Sequence, residues 1–436
     1  MSDAENKITV TPSPERLVES LTSLGHSFST AVADLVDNSI EAGSSEISIW
    51  VRFDGKRSAV RISDNGRGMN IEEMKEAMRF GTRRDYDLSA LGKYGLGLKT
   101  ASLSQCRKLT VASRTSDDKS DVCAMSWDME HLKKSKQWEV LQIQESDLDE
   151  NILRPLRKNT GTVVYWSQIK DISEYKDPKS GWAKRRMSSM CRELENYLAM
   201  VFHRFLEGEE EGRTVKIKLN EIDIKAWDPF ARNEQHTRPL SSTFFEVKEE
   251  GSVEDKVVIT PYILPHRDKF SSQEAFKKAS GPASWNQQQG FYIYRVGRMI
   301  QSGGWCNMRT ADEHTKLARI ALQFPPSLDD VFNINIAKMK VDFPDSLKEK
   351  IKSYVVQIAK AAQTVYRQER QKDTSSNYST ISYGNKVDCK EQNQETRIQK
   401  KWTFNQIVVL LRGVASRGEL PVLDKIIQRV RENIGE

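Results

Sequence analysis

Apolar residues recur at helical spacing in Leu17, Val18, Leu21 and Leu24. Ser13-Pro14-Glu15 ahead of them provides a cap, a first-turn proline and an acid, and Gly25 follows; a helix between them is expected. A second helix is expected from Ser29 to Ala42, stopped by Gly43. The period then changes to two. Glu46–Phe53 and Ser58–Ser63 alternate as strands around the turn signal Asp54-Gly55. A helix over Ile71–Arg79 precedes a glycine-rich stretch ending at Gly97, and Lys108–Arg114, Cys123–Met129 and Thr162–Trp166 read as further strands.

The pattern also divides the chain. Residues 175–212 read as a helical connector ending in the acidic run Glu207–Glu211. Strands return at Val215–Leu219, Val257–Leu264 and Phe291–Tyr294. Ser346-Leu347-Lys348-Glu349 reads as a capping box opening a long helix with Leu347, Ile351, Val355, Ile358, Ala362 and Val365 on one side. Residues 371–400 are polar and read as a flexible linker, and a helix with Val422, Leu423, Ile426, Ile427 and Val430 closes the chain after Pro421. The expected organisation is 1–175, 176–212, 213–370, 371–400 and 401–436.

Composition narrows the class. Over 436 residues, 67 Lys and Arg against 61 Asp and Glu leave +6, a mild charge that permits a nucleic-acid partner without requiring one. The 9 Trp, 15 Phe and 12 Tyr can build cores. The longest aliphatic run, Ile407–Leu411, is far short of the ~18 residues of a membrane span, so no membrane role is expected. Met1–Val10 is polar, and the cytoplasm is the expected compartment. The five cysteines form no CxxC pair, so free thiols are expected.

Three clusters carry candidate chemistry. In Asp34-Leu35-Val36-Asp37-Asn38 a carboxylate and an amide stand four apart on one helical face, suited to orienting a water and ligating a hard cation. Asp64-Asn65-Gly66-Arg67-Gly68-Met69 follows a strand, with an Asp able to accept from an exocyclic amine and two glycines for a tight turn. Gly92-Lys93-Tyr94-Gly95-Leu96-Gly97-Leu98-Lys99-Thr100 places three glycines before a helix start, where backbone N–H groups hold phosphates. A solvated helix face, a plain turn and a surface loop would account for each alone. Their order, with Asp64 26 residues after Asn38 and Gly92 28 after Asp64, makes three unrelated features improbable.

Together with Gly161-Thr162, this series resembles the GHKL ATPase superfamily, which includes gyrase B subunits, MutL, histidine kinases and the Microrchidia (MORC) ATPases. Tyr292-Ile293-Tyr294-Arg295, Arg298-Met299-Ile300 and Lys340-Val341-Asp342-Phe343 resemble the second domain of the MORC-like branch, in its prokaryotic form. The resemblance implies an α+β chain: a two-layer α/β sandwich of the Bergerat type, a transducer-like second α/β domain and a small helical C-terminal tail.

The resemblance further implies ATP and Mg²⁺ as cofactors. Asn38 would hold the magnesium, Asp64 would accept from the adenine amine, and Gly66, Gly68 and Met69 would line its pocket with Thr162. Phe80-Gly81-Thr82 would begin the lid. Gly92, Tyr94, Gly95, Leu96 and Gly97 would wrap the phosphates with Lys99 nearby, and Lys340 or Lys338 would reach the γ-phosphate. The family's base is usually Glu; here Asp34 stands in its place, with Asp37 as an alternative. The shorter side chain sets the carboxylate back by roughly 1 Å, which can cost on the order of 10²-fold in rate. A slow ATPase is therefore expected, a switch that forms a homodimer on ATP binding and acts on DNA or in genome defence. The rival is a non-hydrolysing ATP sensor that binds a partner protein through residues 401–436.

Overall fold

The computed structural model describes residues 10–23, 25–81, 97–115, 121–157, 159–210, 214–247, 255–333 and 341–378, with side chains to 367. The chain divides into two compact units, Met1–Ser376 and Asn377–Glu436. The expected tail helix lies outside the described residues.

Two helices open the chain, α1 (Pro14–Thr22) and α2 (Phe28–Glu41). Ser27 caps α2, accepting from the Thr30 N–H at 3.2 Å, and Gly43, at φ +78°, lets the chain turn away after it. Helix α3 (Ile71–Met78) starts with a full capping box, in which Asn70 and Glu73 each accept the other's backbone N–H. Helix α4 (Gly97–Gln105) begins at the last glycine of the glycine-rich run.

The first sheet contains β1 (Glu46–Arg52), β2 (Ala59–Asp64), β3 (Cys106–Arg114), β4 (Cys123–Asp128), β5 (Leu141–Ile143), β6 (Gly161–Ile169), β7 (Lys216–Leu219) and β8 (Ile222–Asp223). Their spatial order is β5-β4-β3-β6-β2-β1-β7-β8. All pairs are antiparallel except β1 with β7, where Glu46 faces Lys216 and Ile49 faces Leu219. The sequence pattern identifies β7 as a strand but assigns it to the region beyond residue 213; its pairing makes it part of the first sheet. Along β1 the buried Ile47 and Ile49 alternate with half-buried neighbours, and they join Val60, Ile62, Trp166 and the inner faces of α2 and α4 in one core.

The second sheet contains β9 (Arg238–Pro239), β10 (Thr243–Val247), β11 (Asp255–Ile263), β12 (Gly290–Arg295), β13 (Arg298–Ser302) and β14 (Ala318–Phe324). Its order is β10-β11-β14-β12-β13, with β9 on β11. Strand β12 is buried at every position. Tyr292 and Tyr294 face the core that holds the first sheet and the long helix Gly181–Val201; Phe291 and Ile293 face a second core under the C-terminal helix Asp345–Tyr378. The first of these cores thus takes residues from both sheets and ties them together.

Two expectations change at the chain's end. The C-terminal helix starts at Asp345, so Ser346 lies inside it and the expected capping box does not form. Pro344 ends the preceding segment, and its carbonyl accepts from the Leu347 and Lys348 N–H groups, which starts the helix two residues early. The helix then runs to Tyr378, beyond the point where the polar composition predicts a linker.

Candidate functional site

The site is built where the C-terminal half of α2 meets the end of β2. Asp64 is the last residue of β2, and its carboxylate is held from three sides. The Gly66 N–H donates to Oδ1 at 2.9 Å, the Thr162 N–H to Oδ1 at 3.3 Å, and Ser39 Oγ to Oδ2 at 3.0 Å. Burial pushes the Asp64 pKa up, and the Gly66 and Ser39 donors pull it back. A carboxylate offers about four lone-pair directions, so this one is oriented and still able to accept from an amine.

Close backbone packing explains the glycines around it. A Cβ at Gly68, φ +72°, would lie 2.0 Å from the Arg114 carbonyl oxygen, and one at Gly161 would lie 1.9 Å from the Asp64 carbonyl oxygen. A Cβ at Gly66 would press on Ala42 and Ser44 at 2.8 Å. These glycines give β2, β3 and the end of α2 their close approach.

Ser113 is a hub beside the Asp64 carboxylate. It is fully buried at the end of β3, accepts from the Met69 N–H at 2.8 Å, donates to the Gly161 carbonyl at 2.8 Å and lies 3.0 Å from Thr162 Oγ1. Met69 and Thr162, expected to flank a base, are therefore fastened to one hydroxyl. Ser113 and Ser39 escape a sequence reading, because a serine in a strand or helix carries no local mark of such a role.

On α2 the expected pair divides by environment. Asn38 is exposed, and its side-chain amide makes no hydrogen bond among the described residues, leaving a neutral oxygen ligand at the surface of the site. Asp34, one turn earlier, is 6% exposed. Its Oδ2 lies 3.5 Å from His26 Nδ1 and its Oδ1 3.9 Å from Arg298 Nη2. Burial lowers the His26 pKa. Asp37, the alternative base, is 1% exposed and ion-paired with Arg298 Nε at 2.8 Å, whereas Asp34 stands four residues from Asn38, on the same helical face.

Lys99 is buried in α4 and donates from Nζ to the Ala77 carbonyl at 2.8 Å. Burial pulls its pKa down to about 8, against the pull of Glu76. Phe80 is packed edge-on against Trp127 and Trp138 at 5.3 and 5.8 Å. Gly97 stands at the first position of α4 with open space where a Cβ would be. Thr82, Gly92, Tyr94, Gly95, Leu96, Lys338 and Lys340 lie outside the described residues.

Comparison with known proteins bears on the same segment. Residues 26–162 match the profile of the family described as histidine kinase-, DNA gyrase B-, and HSP90-like ATPase. Residues 26–162 form a GHKL ATPase domain. The chain is also 40% identical over 88 residues to the DNA mismatch repair protein MutL of Azorhizobium caulinodans, covering 19% of this chain and 14% of that protein. MutL of Mannheimia succiniciproducens is 37% identical over 108 residues, 23% of this chain and 17% of the relative. The chain thus spans less than a fifth of the length of the relatives it matches. The GHKL domain contains α2, the Asp64 cradle and α4, and its matched segment ends at Thr162. Arg298 and the second sheet lie beyond it. Among the described residues no helix is long and apolar enough to cross a membrane.

Proposed function

We propose that this protein binds Mg²⁺–ATP in the GHKL domain and hydrolyses it slowly, using the cycle as a conformational switch. The observation that carries this reading is the Asp64 carboxylate, fixed by Gly66, Thr162 and Ser39; in this reading it accepts from the adenine amine. Asn38 Oδ1 would ligate the magnesium, a hard cation suited to an oxygen donor at an exposed position. A cation held there by Asn38 would supply neutralisation of the phosphate charge. Asp34 acts as the base that takes the proton of the attacking water. Gly97 and the N-terminus of α4, with Gly92, Tyr94, Gly95 and Leu96 before it, would hold phosphates through backbone N–H groups. Thr82 belongs to the covering segment, and Lys340 or Lys338 is the proposed γ-phosphate contact.

The likeness to MutL and the resemblance of the second-sheet motifs to MORC-like proteins support a homodimer formed on ATP binding that acts on DNA, with genome defence as its setting and the cytoplasm as its compartment. Size measurement with and without a non-hydrolysable ATP analogue tests the dimer, and DNA binding over a salt series tests the nucleic-acid partner. A nucleotide-dependent dimer whose DNA affinity falls with salt supports the reading; a monomer in both states removes the switch.

A second reading is a non-hydrolysing ATP sensor that engages a partner protein through residues 401–436. It is favoured by Asp34 itself, a short carboxylate buried against His26 and Arg298. Phosphate release by the parent protein that disappears in Asn38→Ala decides for the enzyme; ATP binding without release decides for the sensor.

A further inference from the structure

We propose that Arg298, carried by β13 of the second sheet, is a positioning residue for ATP hydrolysis, setting the placement of α2 and so the aim of Asp34. The proposal rests on the ATPase reading above and adds a residue from outside the matched domain.

The geometry is specific. Arg298 is 1% exposed, and its Nε lies 2.8 Å from Asp37 Oδ2, itself 1% exposed. Its Nη2 lies 3.9 Å from Asp34 Oδ1, within ion-pair range and beyond a hydrogen bond. Residues three apart on a helix are neighbours, so one planar fork addresses both carboxylates. The guanidinium also lies 5.6 Å from the centroid of the Phe202 ring.

Two features point to a positioning role beyond simple packing. First, a half-open groove of about 250 Å³, lined in part by Thr30, Tyr197, Met200, Val201, Met299 and Ile300, opens beside the junction of α2, the long helix and β13. Apolar packing leaves that flank unfilled, and Arg298, the residue before the groove-lining Met299, adds a buried charge contact from β13 to α2. Second, the neighbouring buried arginine behaves differently. Arg295 grips Asp329 through Nε at 2.7 Å and Nη2 at 2.8 Å, so its carboxylate partner lies in the second-sheet region. Arg298 instead spends its charge on the ATPase domain's helix. Buried ion pairs contribute little net stability compared with apolar replacements, whereas a misplacement of about 1 Å at a reacting group can cost on the order of 10²-fold in rate.

The test compares the parent chain with Arg298→Lys and with the neutral pair Asp37→Asn/Arg298→Gln, which removes both buried charges together. ATP affinity should stay within about threefold in each. Turnover should fall roughly tenfold in Arg298→Lys and by about 10–100-fold in the neutral pair, at a Tm near the parent's. Hydrogen exchange with a non-hydrolysable ATP analogue gives a readout that does not need turnover: protection in α2 and in Arg298–Ser302 for the parent, and in α2 alone for the neutral pair. A folded neutral pair that turns over at the parent rate, or that protects β13 as the parent does, overturns the proposal. If the neutral pair does not fold, Arg298→Lys decides, and parental turnover there overturns the proposal. A parent that binds ATP without turnover leaves the exchange pattern to decide. A parent that binds no adenine nucleotide overturns the ATPase reading itself, and this proposal with it.

Discussion

Ser39 Oγ lies 3.0 Å from Asp64 Oδ2 and 3.1 Å from the Leu35 carbonyl, so one hydroxyl on α2 fastens the helix of Asp34 and Asn38 to the strand end that presents Asp64. Ser39 is buried, and loss of its donor leaves the carboxylate short of a partner in a place where water is scarce. Ser39→Ala is expected to cost about 1 kcal/mol of stability. It should also weaken ATP binding several-fold by freeing the carboxylate to rotate. Thermal denaturation and nucleotide titration check the two effects separately.

Gly68 predicts a larger loss. Its positive φ and the Arg114 carbonyl 2.0 Å from any added Cβ leave an alanine no room without shifting backbone. Gly68→Ala should destabilise by roughly 3 kcal/mol or more, through strain and overpacking together. Chemical denaturation of the variant beside the parent measures it.

Asp34 and Asp64 have separable roles in this account. Asp34→Asn keeps shape and removes the base, so kcat should fall on the order of 10²–10⁴-fold, with ATP affinity within about threefold. Equal losses in affinity and turnover would place Asp34 in binding.

Lys99 predicts a pH dependence. Its folded pKa of about 8 lies below the ordinary 10.5, so between those values the unfolded chain holds the proton more tightly and stability rises with pH. Below the lower value the fold carries the full cost of burying the charge. Lys99→Met should therefore gain most, relative to the parent, at neutral pH. That advantage should shrink by roughly 3 kcal/mol as pH rises toward 10.5. Melting curves from pH 7 to 10.5 check the sign.

The local pattern makes α2 and its Asp34–Asn38 face legible, because caps, glycine stops and helical spacing are all local. It makes β1 and β2 legible through alternation and the turn between them. Pairing is another matter: the residues of β7 read as a strand, but nothing near them says that Lys216 lies beside Glu46. Ser113 looks like any strand serine until β3, β6 and the Met69 turn converge on it. Arg298 and Asp37 lie far apart in sequence and meet only after both sheets and the long helix have packed. The burial of Lys99 against Ala77 likewise depends on α3 and α4 packing together, whereas a lysine beside a glycine run reads as a phosphate contact.

The most direct test of the central claim is calorimetric titration of ATP with Mg²⁺ into the parent chain and into Asp64→Asn, whose amide would either present an N–H toward the adenine amine or, flipped, set an N–H against both the Gly66 and Thr162 donors, which share Oδ1. The account predicts saturable heat for the parent and a loss of affinity of at least about tenfold for the variant, the scale of one hydrogen bond to a charged group. No heat from the parent, or equal affinity in the two proteins, would contradict it.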